Sequence, residues 1–345
     1  MMVPETGRIA TANALYRSGA YREALAIYEE IASRPGWAKL VRANILLCSK
    51  RLDGHINKNG KVVTAAEHPA ITVTLTTIRS RLKYVPKVVE SLLSQTLPPT
   101  YIDLNISAEP YLLDEGVLEN DPILLNLMEQ PLLRVNWVFN TGPYRKIWGV
   151  LKDHFFGSPK QDRCFVTVDD DTLYPSYFLE QLYESYLRHD CVIAFRGRYI
   201  SLGSDGIASY DKWKWGEMTP SLNNLPTGKD GVFYSTKFFT ADFLKLEDAQ
   251  RIAPTADDLW IKWHCALNGV PAVILNPEAC SSDYKSFPVV NYDKSYRNIS
   301  LYAMHNSSNA KNKNDVAVLD LERYFLEVYG YNLAWLIQSE QEALV

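Results

Sequence analysis

Cysteine is scarce, and its pattern is unpaired. Cys48, Cys164, Cys191, Cys265 and Cys280 are the five present, an odd number with no two at CxxC spacing. This spacing disfavours zinc-ribbon chemistry and a disulfide framework, and reads as reduced, buried thiols in a cytosolic protein. Long apolar runs are also missing: none approaches the roughly 20 residues needed to span a bilayer. Residues 1–10 contain Glu5 and Arg8 and no apolar stretch, so the chain reads as lacking a signal peptide. There is no long basic block, and the net charge is -4, which argues against nucleic acid as a partner. The expectation is a cytoplasmic protein, with the inner face of the membrane as its outer limit.

What is present is an ordinary globular composition. The 345 residues are 47% hydrophobic and 22% charged, enough for one large α/β domain with a small appendage. Aromatic residues make up 12%, including 21 Tyr and 8 Trp. Rings with polar tips are frequent where sugars dock, although most must serve the core.

Residues 1–52 differ in texture from the rest. Ala14-Leu15-Tyr16, Gly19, Tyr21, Ala24-Leu25 and Tyr28 recur at helical spacing around a glycine turn, in the manner of a single tetratricopeptide-type hairpin. One such repeat cannot cover its own apolar face and must pack on the main domain or on another subunit. A homodimer contact and docking to other machinery both remain open, as does a plain hairpin with no partner role. Residues 53–69 are polar and read as a linker.

From Ala70 the pattern alternates strand and helix. Strands are expected at 71–77, 101–106, 133–139, 165–168 and 191–195, with helices at 85–97, 144–155 and 176–188. That order implies a mostly parallel, doubly wound α/β sheet over 70–312. Residues 203–226, rich in Gly, Ser, Trp and Asn, are expected to form loops at the site face. Val316 to Ile337, within the final segment 313–345, reads as one amphipathic helix. Its acids Asp320, Glu322 and Glu327 disfavour an anionic membrane surface and favour packing on the core.

Chemistry concentrates at strand ends. Phe165 to Val168 leads directly into Asp169-Asp170-Asp171, placing three carboxylates at the carboxyl end of a strand, where open α/β sheets bind ligands. Adjacent carboxylates repel, and a hard cation such as Mg²⁺ or Mn²⁺ would relieve the repulsion. A solvated acidic turn that caps the next helix is the alternative. Thr76-Thr77-Ile78-Arg79-Ser80-Arg81 ends the first strand with groups suited to ribose and phosphates, or forms a capped turn. Gly142-Pro143-Tyr144-Arg145-Lys146 opens a helix with a lysine that can aim at a phosphate. Gly228-Lys229-Asp230-Gly231 allows close backbone approach, with Asp230 able to accept from hydroxyls. Asp257-Asp258-Leu259-Trp260 starts a helix, where a carboxylate with an acidic neighbour suits a general base.

In this order, the motifs resemble the bacterial family-2-like glycosyltransferases of the GT-A fold. The resemblance covers about residues 70–310 and rests on Val168-Asp169-Asp170-Asp171, Gly142-Pro143-x-x-Lys146, Gly228-x-x-Gly231-Val232-x-Tyr234 and Asp257-Asp258-x-Trp260. The hairpin ahead of such a core is reminiscent of capsule and lipopolysaccharide glycosyltransferases. The resemblance implies a Rossmann-like sheet, a nucleotide-sugar donor (a UDP-sugar) and a glycan acceptor. It further implies Mn²⁺ or Mg²⁺ held by Asp171, Asp169 and His305, with His264 as competitor. Asp169 and Asp170, with Thr76, Thr77, Arg79, Arg81, Gly142, Lys146 and Gly231, would bind the nucleotide sugar. Asp258, with Asp257 behind it, would deprotonate the acceptor and invert the anomeric centre. Asp230 and Trp260 would touch sugar, and Trp213 and Trp215 would stack on it. Glu109 stands where an acid that reads uracil would be expected after the second strand. A sugar nucleotidyltransferase and a non-catalytic scaffold with a decayed core remain as rival readings. Peripheral association with a membrane, or with a synthesis complex, is the partner expectation.

Overall fold

The computed structural model describes residues 70–157, 162–204, 206–280, 285–290 and 313–343, together with 20–34 and scattered positions around that helix. Two compact units result, Met1–Pro69 and Ala70–Val345. In the first, helix α1 (Tyr21–Ala32) turns Ala24, Tyr28 and Ile31 into a small apolar cluster with Ala12, Val41 and Cys48. Most of 53–69 lies outside the described residues; within it, His55–Ile56 pairs antiparallel with Val62–Val63.

The second unit is built on a seven-stranded sheet. Its strands are β1 (Ile71–Thr76), β2 (Tyr101–Ile106), β3 (Leu133–Trp137), β4 (Cys164–Thr167), β5 (Val192–Ala194), β6 (Val232–Ser235) and β7 (Ala272–Ile274). They lie in the order β7-β5-β6-β4-β1-β2-β3. Every neighbouring pair is parallel except those of β6, which runs antiparallel to both β4 and β5. This is the mostly parallel α/β sheet that the strand–helix alternation calls for.

Side chains of a strand alternate between faces, and here both faces are covered. Ile193, Phe233 and Val273 enter one core with Val85, Val88, Leu92, Phe178 and Leu182. Their sequence neighbours Val192, Val232 and Ala272 enter the other, against Ile147, Leu151, Trp260, Trp263 and Leu321. Helices α2 (Val85–Leu93) and α5 (Phe178–His189) therefore cover one face. On the other lie α4 (Arg145–Phe156) and α6 (Asp257–Leu267), while the short α3 (Pro122–Leu127) joins β2 to β3.

Two segments depart from the sequence expectation. The region 203–226, expected to be loops, supplies Lys214–Trp215 and Asn224–Pro226, two strands that pair antiparallel with Gly197–Tyr199 on either side. Strands of two or three residues are too short to show a period. The single helix expected over 316–337 is instead two, α7 (Lys313–Tyr329) and α8 (Leu333–Ala343). Gly330 takes φ +83, a left-handed conformation that ends α7, and Asn332 then caps α8 by accepting from the Trp335 N–H. Glu322 of α7 accepts from the Leu333 N–H at 3.0 Å, the Ala334 N–H at 3.2 Å and the Trp263 indole at 2.9 Å, which ties α8 to α6.

Gly231 precedes β6 at φ +86, and a Cβ there would lie 2.4 Å from Phe178 Cζ. Gly231→Ala is expected to destabilise the protein by about 2 kcal/mol or more, through strain and overpacking. A chemical denaturation curve checks this; an unchanged midpoint would mean that Phe178 moves aside at no cost.

Candidate active site

Parallel pairing of β1 with β4 sets the register Thr74↔Thr167 and continues one residue further, where the Val168 N–H donates to the Thr74 carbonyl at 3.1 Å. The residues that follow each strand therefore meet. Thr77 Oγ1 donates to Asp170 Oδ2 at 2.6 Å. Arg81, in the turn Arg79–Tyr84, places Nη2 2.6 Å from Asp170 Oδ1 and Nε 3.2 Å from Oδ2, and the same Nη2 also donates to Asp171 Oδ2. Thr172 Oγ1 donates to the other Asp171 oxygen at 3.2 Å. These side chains are nearly sealed from solvent, Arg81 at 14%, Asp170 at 9% and Asp171 at 10% exposure. Burial, reinforced by Asp170 and opposed by Arg81, raises the Asp171 carboxyl to about 7. Burial likewise lifts Asp169 to about 6 against the pull of Lys146.

Lys146 comes from the other side of the sheet end. Gly142 adopts φ +64, with its N–H donating to Asn140 Oδ1 at 3.1 Å, and this turn launches α4. Thr74 Oγ1 of β1 fixes the start of α4 by donating to the Lys146 carbonyl at 2.6 Å. The Lys146 ammonium then lies 3.0 Å from Asp257 Oδ2, and its charge also acts on Asp169 and Asp258. A Cβ on Gly228 would come within 3.1 Å of Lys146 Nζ, so the glycine leaves room above the amine. Asp257 and Asp258 occupy the first turn of α6, where the helix dipole favours their anions. Burial and then the Asp257 charge push Asp258 up to about 7, while Lys146 opposes them. One lysine therefore links the acidic triplet to the acid pair.

Other expected site residues fall elsewhere. Thr76 donates to the Asn105 carbonyl within the sheet. Arg79 engages Asp114 through its backbone N–H, while its side chain stays exposed, 3.9 Å from Glu115. Asp230 was expected to meet sugar hydroxyls, but it is 1% exposed and accepts from the Phe287 N–H at 3.3 Å, which leaves it inside the turn. Trp260 is fully buried among His264, Tyr324 and Phe325, with its indole donating to the Phe243 carbonyl. Trp213 is 3% exposed and donates to the Ala208 carbonyl. Neither ring presents a face to a ligand, because α7 covers Trp260 and the Ala208 carbonyl holds Trp213 inward. Trp215 keeps 48% of its surface. His264 is buried among aromatic rings, its pKa lowered by burial to about 3, so it packs as a neutral core side chain. Glu109 is exposed, and its carbonyl accepts from Asn140. His305 lies outside the described residues.

The residues missed by sequence reasoning are Asp114 and Arg145. Their side chains, 1% and 2% exposed, pair at 2.9 Å. Arg145 also donates to the carbonyls of Thr77 and Gly142, and Asp114 accepts from the N–H groups of Arg79 and Gly116. This pair binds together the loops that follow β1, β2 and β3. Arg145 sat in plain view beside Lys146, but Asp114 belongs to no motif.

The expected divalent cation would fall to Asp169, Asp171 and His305. Among the described residues, no group of three or more His, Cys, Asp or Glu side chains could hold a metal ion. Both oxygens of Asp171 are engaged, one by Arg81 and one by Thr172. As arranged, Asp171 does not fit a divalent ion, since Arg81 and Thr172 hold its two oxygens.

No protein-family model matches the sequence. No curated protein matches it either. Among solved structures, residues 1–349 of S. aureus TarS are similar over 76% of this chain and 73% of that one, at 17% identity and a TM-score of 0.40. The same protein in complex with UDP-GlcNAc is similar over 74% and 72%, at 15% identity and a TM-score of 0.40. A 4-diphosphocytidyl-2C-methyl-D-erythritol synthase is similar over 68% of this chain and 98% of its own, at 11% identity and a TM-score of 0.38. Likeness this distant carries no argument about chemistry, which must come from the side chains.

Removing one partner of a buried ion pair leaves the other charge uncompensated. Asp114→Ala is therefore expected to cost about 3–5 kcal/mol of stability. Urea denaturation measures it, and the double change Asp114→Ala with Arg145→Met is expected to recover part of the loss.

Proposed function

We propose that the chain transfers a sugar from a nucleotide-diphosphate sugar, a UDP-sugar, to a hydroxyl of a glycan acceptor with inversion. One observation carries the proposal: Lys146 couples the acids after β4 to an acid pair at the start of α6, within one site. The first group suits the donor and the second suits the acceptor.

The residues divide the chemistry between them. Lys146 neutralises Asp257 at 3.0 Å, which leaves Asp258 as the carboxylate of the pair not bound to a cation. A raised proton affinity makes Asp258 a better proton acceptor near neutral pH than an ordinary aspartate. The acceptor hydroxyl gives its proton to the Asp258 carboxylate as its oxygen bonds to the anomeric carbon. The bond from that carbon to the phosphate oxygen breaks, and its electron pair leaves with the nucleoside diphosphate. Attack opposite the leaving group inverts the centre. Arg81 and Lys146 offset the carboxylates around the departing diphosphate, which lessens the negative field it meets. The motif resemblance extends the proposal to bacterial surface polysaccharide synthesis, with the chain at the cytoplasmic face of the membrane. No helix among the described residues is long and apolar enough to cross a membrane.

Turnover with a panel of nucleotide sugars and glycan acceptors tests the reading. Release of a nucleoside diphosphate with inverted product supports it. Release of pyrophosphate from a triphosphate would replace it with nucleotidyl transfer, and inactivity with all donors would leave a scaffold. Asp258→Asn is expected to lower kcat by roughly 10²–10⁴-fold while leaving nucleotide affinity unchanged. Since the base acts only when ionised, kcat is expected to climb as pH rises through about 7 and to level above it. A profile flat from pH 5 to 8 would remove Asp258 from the role.

A further inference from the structure

Three adjacent carboxylates need a cation, and in the folded chain Arg81 supplies part of that positive charge from within. Arg81 forms a two-pronged contact with Asp170, at 2.6 and 3.2 Å, and reaches Asp171 with the same Nη2. A planar guanidinium matches carboxylate geometry in this way and stays charged at any physiological pH. Thr77 and Thr172 take further positions on the same two carboxylates, so all four oxygens of Asp170 and Asp171 are engaged. The third acid, Asp169, lies in the field of Lys146. For a divalent ion to reach Asp171, Arg81 would have to withdraw from a position where only 14% of its side chain is exposed. The turn Arg79–Tyr84 that carries Arg81 is itself pinned, by the bond from the Arg79 N–H to Asp114 at 3.2 Å.

We propose that this chain binds the diphosphate of its donor without a divalent cation, the Arg81 guanidinium standing where such an ion would stand. The inference rests on the proposed function and assigns Arg81 as the positioning residue that holds Asp170 and Asp171 beside the diphosphate in place of a metal. It departs from the Mn²⁺ or Mg²⁺ that the motif order implies.

Calorimetric titration of the full chain with UDP, in EDTA and again in Mn²⁺, tests it. The dissociation constants in the two media are expected to agree within about threefold, because Arg81 and Thr172 already hold the Asp171 oxygens that an ion would need. Arg81→Gln is expected to weaken UDP about tenfold or more in EDTA. It also exposes two carboxylates to one another, so Mn²⁺ is expected to restore part of the binding in that variant alone. That gain of metal response is one that a merely structural role for Arg81 would not produce. If Arg81→Gln fails to fold, Arg81→Lys keeps the charge but loses the fork, and an intermediate loss in EDTA is expected. UDP binding by the unaltered chain only when Mn²⁺ is present would overturn the inference and leave the proposed function standing. If a cooperatively melting protein binds no nucleotide in either medium, the proposed function falls and this inference with it.

Discussion

Buried carboxylate charge requires a partner, and the arrangement of the second unit follows from meeting that requirement. Asp103 takes Arg134, Asp114 takes Arg145, Asp170 and Asp171 share Arg81, and Asp257 takes Lys146. Each of these pairs joins segments far apart in sequence, and three of them converge on the carboxyl ends of the central strands. Desolvation makes an unpaired ion there costly, so the pairs fix where loops can lie. Asp258 shows the cost of depth: burial and then the neighbouring Asp257 charge raise its proton affinity, with Lys146 opposing them.

The backbone framework was largely legible in the sequence. Strands with buried apolar runs, such as Phe165 to Val168, and helices with a 3.6-residue apolar stripe, such as Val85 to Leu93, declare themselves by period. The antiparallel placement of β6 did not, because a four-residue run carries no sign of its direction. Nor did the break after α7, which depends on one glycine among otherwise helical residues.

The site was legible in position more than in detail. Strand-end motifs named Asp169 to Asp171, Arg81, Lys146 and the Asp257-Asp258 pair, and the sheet register then brought them together. What local patterns cannot show is depth. Trp260 and Asp230 sit inside recognisable motifs, yet both are buried, Trp260 by a helix more than fifty positions later and Asp230 by the segment around Phe287. Asp114 eluded the sequence for the complementary reason, since its importance comes from partners elsewhere in the chain, Arg79 and an arginine 31 positions away.

Glu322 gives the carboxyl-terminal region a meaning beyond packing. A single carboxylate caps one helix, is rooted in a second and grips the indole of a third, the helix whose first turn carries Asp258. Beyond the apolar packing that the three helices share, their polar ends therefore depend on one side chain. Loss of Glu322 would strand two N–H groups of the last helix and the Trp263 indole N–H at once.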